Sequence, residues 1–214
     1  MKNHIVVAQY RENINWISKL DKINNLEPYD IFVYHKDKGI SKDIEKFIHN
    51  KKVIYEELPN VGRETHTYMH HILKHYNKLP DKIFFTQAEP FDHIDKENEV
   101  ATNDFFFSKL DDFFNGNEDF KGYGKKHYIW RTGIGNKTPT MERLYSNLFI
   151  GNLEDHHFNN GGIFGVKKEL ILNRSKTFYE YCLKSLEYDK NPVEGFCYER
   201  LWSIIFNKNY KSKI

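Results

Sequence analysis

Short runs of consecutive apolar residues alternate with stretches of helical spacing through the first half of the chain. Ile5-Val6-Val7-Ala8, Tyr29–Tyr34 (YDIFVY), Lys52–Tyr55 (KVIY) and Lys82–Thr86 (KIFFT) are such runs. Each is too short for a helix, and its continuity predicts a strand buried on both faces. Between them, Asn13–Ile23 carries Ile14, Ile17 and Leu20, with Trp16, at helical spacing. Ser41–Asn50 places Ile44, Phe47 and Ile48 behind a capping serine. Glu64–Asn77 is the clearest helix, with Met69, Ile72, Leu73 and Tyr76 at i, i+3, i+4 and i+7, and Pro80 closes it.

Strands that alternate with helices in this way predict an α/β fold, a mostly parallel, twisted, doubly wound central sheet with helices on both faces. Ligands of such sheets bind outside the carboxyl ends of the strands. Three segments are expected there: Gln9-Tyr10-Arg11-Glu12, Asn60-Val61-Gly62-Arg63-Glu64 and Gln87-Ala88-Glu89-Pro90. The second half differs in texture. A helix is predicted from Asn103 to Phe114, and Gly116–Asp155 reads as loop-rich. Asn159-Asn160-Gly161-Gly162 then leads into a fifth strand, Ile163–Val166. Helices are predicted over Lys167–Leu172, Ser175–Leu186 and Phe196–Phe206. The chain reads as one continuous domain.

Charge narrows the field. The 32 basic and 30 acidic residues leave a formal net charge of +2. That balance does not suggest a nucleic-acid partner, which needs a clustered excess of Lys and Arg. Cys182 and Cys197 have no CxxC spacing, which points to a reducing compartment, the cytoplasm. Lys2 leads into only a short apolar run, so no signal peptide is expected, and no run approaches a membrane span.

Five segments carry a resemblance: Val6–Trp16, Leu58–Ile72, Gln87–His93, Gly161–Val166 and Glu199–Phe206. By the block LPNVGRETHTYMHHI, the PFDH stretch, the GG-x-F strand and the ERLW helix, the chain resembles a family of uncharacterised glycosyltransferase-like domains. Their order is similar to that of the GT-A (nucleotide-diphospho-sugar transferase) fold. Size and layout are also similar to glycosyltransferases of large algal viruses that decorate capsid glycans. The resemblance implies a nucleotide-binding half over 1–95 and an acceptor half over 96–214. It also implies transfer of a sugar from a nucleotide-diphosphate sugar, a UDP-sugar above all, to a glycan or glycoprotein hydroxyl. Direct displacement by that hydroxyl would invert the anomeric centre, and the sequence leaves retention open. For a viral protein the host cytoplasm would be the place of action. Enzymes of that fold usually carry Asp-x-Asp after the fourth strand to hold Mn²⁺ or Mg²⁺, whereas this chain reads Gln87-Ala88-Glu89.

Breaking a sugar–nucleotide bond leaves a charged diphosphate, which needs positive charge beside it. Glu89, which follows a strand and enters a Pro turn, is the first expected metal ligand, with Asp92 second and His93 nearby. Ala8, Gln9, Tyr10, Glu12, Gly62, Arg63, Gln87 and Ala88 are expected around the nucleotide, Arg63 as a clamp at a helix N-terminus or else paired with Glu64 or Glu12. Asn160, Gly161, Gly162, Asp155 and Trp202 are expected around sugar and acceptor, with Trp130, Arg131, His156 and His157 as further lining. A carboxylate that takes the acceptor proton is expected at Glu199, with Glu194 and Asp155 as alternatives. The pairs His66/His70 and His71/His75 have zinc-compatible spacing but no evident third ligand. Two other readings stay open: a nucleotidyltransferase, although no glycine follows the first strand, and a non-catalytic nucleotide-sugar-binding module with a degenerate metal motif.

Overall fold

The computed structural model describes residues 3–22, 28–37, 45, 53–95, 100–129 and 139–214. The four expected strands of the first half are present as β1 (Asn3–Gln9), β2 (Tyr29–His35), β3 (Val53–Glu57) and β4 (Lys82–Gln87). They pair in parallel in the order β3-β2-β1-β4. β1 lies in the middle of these and is buried along its whole length. Its side chains alternate between two apolar layers. Val6 joins Phe32 and Phe85 on one face, while Ile5 and Val7 join Val33 and Phe84 on the other.

The first layer is closed by α1 (Arg63–His75), which turns Tyr68, Met69 and Ile72 inward. The second is closed by α2 (Asn103–Asn115), which contributes Phe106, Leu110, Phe113 and Phe114. Thr102 caps α2 by accepting from the Phe105 N–H at 3.3 Å. Asn15–Lys22 forms a 3₁₀ helix rather than an α-helix. Its apolar side chains still face the core, and the Trp16 indole N–H donates to the Ala88 carbonyl at 2.7 Å. The predicted helix over Ser41–Asn50 lies outside the described residues, apart from position 45.

The second half contributes more structure than its glycines suggest. β5 (Phe120–Gly122), β6 (Lys126–Ile129) and α3 (Pro139–Leu148) all fall in the stretch expected to be loop. β7 (His156–Asn159) pairs antiparallel with β6 in a separate two-stranded sheet. The Gly-Gly-x-Phe strand becomes β8 (Phe164–Lys167), and it enters the main sheet antiparallel to β4. β5 then pairs antiparallel with β8, which gives six strands in the order β3-β2-β1-β4-β8-β5. The chain ends with α4 (Lys168–Leu172), α5 (Lys176–Lys184) and α6 (Val193–Ile205). α6 starts ahead of the predicted Phe196 and packs Leu201, Ile204 and Ile205 into the first layer.

Candidate functional site

A cavity of about 440 Å³ opens at the carboxyl edge of the parallel strands. Residues from all three expected segments line it: Ala8 and Gln9 at the end of β1 with Tyr10 and Glu12 after it, Asn60 ahead of α1 with Arg63 and Glu64 at its start, and Gln87 at the end of β4. Lys36, Lys190 and Asn191 complete the wall. A neighbouring cleft shares Tyr10, Lys36, Asn60 and Lys190 with it and adds Arg11, Asp37 and Glu57.

The loop after β1 is held by its own polar groups. Glu12 Oε2 accepts from the Tyr10 and Arg11 amides at 2.7 and 3.1 Å. Gln9 Nε2 donates to the Glu12 carbonyl at 2.8 Å, while Gln9 Oε1 is buried with no hydrogen-bond partner. Glu12 therefore braces the turn. Ala88 is fully buried and its N–H donates to the Ala8 carbonyl at 2.9 Å, so it supports the cavity from behind.

The entry to α1 departs from ordinary helix starts. Gly62 adopts φ +65°, and a methyl there would lie 2.6 Å from His66 Cβ and 2.8 Å from Leu186 Cβ. Arg63 follows at φ +52°, a conformation that non-glycine residues rarely hold. The Gly62 and Arg63 amides donate to the carbonyls of Asp189 and Lys190 at 2.9 and 3.2 Å. Those two helix N–H groups are thus engaged by the chain itself. The Arg63 side chain runs between Glu64 Oε2, 3.4 Å from Nε, and the Phe196 ring, whose centroid lies 4.0 Å from the guanidinium carbon. Of the two pairings expected for Arg63, the structure forms the one with Glu64.

Lys36 is the residue that the sequence pattern did not single out. It follows β2, its amide donates to the Gln9 carbonyl at 2.9 Å, and the residue is only 6% exposed. Its ammonium donates to the Val61 carbonyl at 2.6 Å and to the Arg63 carbonyl. Burial pushes its pKa down to about 7, opposed by the nearby Glu64 carboxylate. A lone lysine after an apolar run carries no signal in one dimension; the parallel pairing of β2 with β3 brings it beside the Val61–Arg63 turn that follows β3.

Gly161, Gly162 and Glu199, from the second half, do not line the cavity but back its wall. Gln87 Nε2 donates to the Gly161 carbonyl at 2.6 Å, and the Gly161 N–H donates to Glu199 Oε1 at 3.0 Å. Gly162 lies against Glu64, where an added methyl would be 3.3 Å from Glu64 Cγ. Glu199 thus sits one layer behind the cavity wall formed by Gln87 and Glu64. Its pKa is raised, first by burial and then by Glu64, against the Gly161 hydrogen bond that lowers it. Asn160 adjoins it, with a buried Oδ1 that lacks a partner.

Other expected residues are placed elsewhere. Trp202 does not form an open wall for a sugar: it is 3% exposed and stacks on Phe206 at 5.5 Å and 5° in the core. The helical face shared by Glu199, Trp202 and Phe206 is inward because β8 supplies Phe164 beneath it. Asp155 is exposed and lines neither cleft. Glu194 faces Tyr188 and Arg143. His156 is fixed between the Glu154 and Arg200 carbonyls, and the His157 ring lies 4.7 Å from that of Tyr128. Trp130 and Arg131 lie outside the described residues.

The expected metal ligands do not fit a clamp on this cavity. Glu89 and Asp92 are both exposed, neither lines the cavity, and Asp92 pairs with His93 at 3.5 Å. Gln87, at the position of the first aspartate, is tied to Gly161. Among the described residues, no three His, Cys, Asp or Glu side chains come together as a metal site. His71 is instead buried between the Tyr34 hydroxyl at 2.8 Å and His4 Nδ1 at 3.1 Å, with the His75 ring 4.5 Å away.

Residues 5–112, half of the chain, match the profile of a family described as protein of unknown function (DUF3431). The chain belongs to the DUF3431 family. The DUF3431 match holds β1–β4, Lys36, Arg63 and Gln87, and ends within α2, ahead of Gly161 and Glu199. No curated protein is similar enough in sequence to count as a relative. Three solved structures are similar to this chain at a low level. One is S. aureus TarS 1–349, with TM-score 0.43, 14% identity, 99% of this chain and 57% of that one. Another is the apo-form glycosyltransferase GlyE of Streptococcus pneumoniae TIGR4, with TM-score 0.39, 12% identity, 99% of this chain and 44% of that one. A third is 4-diphosphocytidyl-2C-methyl-D-erythritol synthase of Anaerococcus prevotii DSM 20548, with TM-score 0.40, 11% identity, 92% of this chain and 81% of that one. The chain therefore spans little more than half of the TarS fragment. No helix of the described residues is long and apolar enough to cross a membrane.

Proposed function

We propose that this DUF3431 protein is a glycosyltransferase that binds a nucleotide-diphosphate sugar in the cavity at the carboxyl edge and transfers the sugar to a glycan hydroxyl. The observation that carries this reading is the convergence, in one 440 Å³ cavity, of the β1, β2 and β4 ends with Arg63, Lys36 and Lys190. A pocket of that size suits a nucleotide, and its cations suit a diphosphate. The family resemblance of the segments around Arg63, Gln87, Gly161 and Glu199 supports the same reading. Base and ribose are assigned to the Gln9–Tyr10 side, the diphosphate to Lys36 and Arg63, and the sugar to the Gln87–Gly161–Gly162 end. UDP is the first candidate nucleotide.

In the transfer step the acceptor oxygen forms a bond to the anomeric carbon. The bond from that carbon to the diphosphate oxygen breaks, and its electron pair leaves with the diphosphate. The acceptor proton goes to a carboxylate. Glu199 is proposed for this on the resemblance of its ERLW segment and on its link to the Gln87 wall through Gly161, whose N–H it accepts at 3.0 Å; burial raises its pKa. Direct displacement inverts the anomeric centre.

Titration of the protein with UDP, UDP-sugars and GDP-sugars by calorimetry and melting shift tests the reading. A nucleotide sugar that raises the melting temperature and is turned over in the presence of glycan acceptors supports it. Absence of binding by every nucleotide rejects it. One observation favours a second reading, a nucleotide-sugar-binding module without transfer: Glu89 and Asp92 stand away from the cavity. Binding without hydrolysis or transfer of any bound donor selects that reading.

A further inference from the structure

The walls of the cavity hold more cationic than anionic groups. Lys36, Arg63 and Lys190 face it, against Glu12 and Glu64. Glu12 is engaged by two backbone amides and Glu64 by Arg63. Lys36 has no carboxylate at salt-bridge distance among the described residues; its two acceptors are neutral carbonyls. An ammonium has three N–H donors, so one remains for a ligand. A buried cation without a counter-ion is costly, and an anion entering the cavity would relieve that cost. The exposed Glu89 and Asp92 give no comparable placement of a metal.

We propose that Lys36, seconded by Arg63, takes the place of a divalent cation at this site and neutralises the leaving diphosphate, so that ligand binding and sugar release proceed without metal. The proposal rests on the glycosyltransferase reading for the identity of the anion, but the anion site itself stands on the geometry of Lys36. In chemical terms, the electron pair released by the broken carbon–oxygen bond settles on a diphosphate oxygen beside the Lys36 ammonium. Arg63 and Lys190 supply the further positive charge that a metal ion would otherwise bring. The lowered pKa of Lys36 agrees with a cation held in want of a partner.

Calorimetry of the full chain with inorganic pyrophosphate, UDP and a UDP-sugar, each in EDTA and each with Mn²⁺ or Mg²⁺, decides the matter. Pyrophosphate is expected to bind in EDTA, with affinity changed less than about threefold by metal. Lys36→Met is expected to weaken pyrophosphate binding by about 10- to 100-fold, the scale of a hydrogen bond to a charged group. Lys190→Met, at an exposed position, is expected to weaken it less. Melting of Lys36→Met, read alongside, separates loss of the site from loss of the fold. If that variant melts early, Lys36→Gln, which keeps a donor for the two carbonyls but no charge, serves instead. Binding that requires metal, binding that survives both Lys36 variants, or no pyrophosphate binding at all overturns the proposal. Pyrophosphate binding in EDTA without any nucleotide binding leaves the anion site standing and rejects only the sugar-transfer reading.

Discussion

Gln87 donates its side-chain amide to the Gly161 carbonyl at 2.6 Å, across 74 positions of sequence. Gly161 passes the connection on through its own N–H to Glu199. The end of β4, the glycine turn and α6 are thereby joined in one line, and Glu199 is tied to the wall of the cavity. Glu199→Gln keeps an acceptor for the Gly161 amide, so nucleotide affinity and melting temperature are expected to stay near those of the wild type. Transfer is expected to fall by ~10²-fold or more, the scale of a lost general base. Product formation at saturating donor measures this, and near-normal turnover would clear Glu199 of the role.

Arg63 offers a test that separates conformation from charge. Its φ of +52° costs about 1–2 kcal/mol for an L-residue, which glycine would not incur. Glycine brings its own entropy cost of about 0.5–1 kcal/mol and loses the contact with Phe196. Arg63→Gly is therefore expected to melt within a few degrees of the wild type while binding diphosphates at least about tenfold more weakly. A large fall in melting temperature would show instead that the arginine holds the turn.

Gly62 has no such latitude. A methyl at φ +65°, 2.6 Å from His66 Cβ and 2.8 Å from Leu186 Cβ, forces α1 away from the segment after α5. Gly62→Ala is expected to cost about 2–4 kcal/mol in denaturant unfolding, within the range of strain plus overpacking. A loss below about 1 kcal/mol would mean that the turn relaxes freely.

The histidines around β1 predict acid sensitivity. Burial lowers the His4 pKa from 6.5 to about 4 and holds His71 well below its ordinary value. Asp30 favours the charged form of His4, while His75 opposes it, and Lys74 opposes charge on His71. The unfolded chain therefore binds more protons than the native state between pH 6.5 and about 4, and stability falls as pH drops through that window. Urea midpoints measured across the window should decline steadily, and less steeply in His4→Phe. A flat profile would contradict the burial of these rings.

Ligand binding should show the opposite edge of the pH scale. Lys36 titrates near 7, facing Glu64 on α1 and the cations Arg63 and Lys190, with the His66 ring also within electrostatic reach. Pyrophosphate affinity is expected to be level below pH 7 and to decline above it, by up to about tenfold per unit, as the ammonium loses its proton. Proton uptake on binding at pH 8, read by calorimetry in buffers of different ionisation enthalpy, checks the same point. Unchanged affinity from pH 7 to 9 would remove Lys36 from the site.

The parallel half of the sheet was legible because its strands are apolar on both faces and need no partner to be recognised. Gln9, Arg63 and Gln87 could be placed on one rim because chain direction and strand order fix where carboxyl ends lie. Lys36 was hidden, since only the parallel pairing of β2 with β3 sets it beside the Val61–Arg63 turn. The small strands β5, β6 and β7 were hidden too: three or four residues between glycines have no period to read. Trp202 was misplaced because the aromatic floor supplied by Phe164 and Phe206 is a tertiary fact. Met141, Leu144, Tyr145 and Leu148 have the i, i+3, i+4, i+7 spacing of the buried face of α3, a signal that the reading of Gly116–Asp155 as loop-rich missed.

β8 runs against its parallel neighbours. A strand laid in that sense reaches the rim at its beginning, so the chain brings Asn160, Gly161 and Gly162 behind the Gln87 wall of the cavity before it enters the sheet. Substitutions or insertions ahead of Asn160 would shift the backing of that wall while leaving the four parallel strands in place.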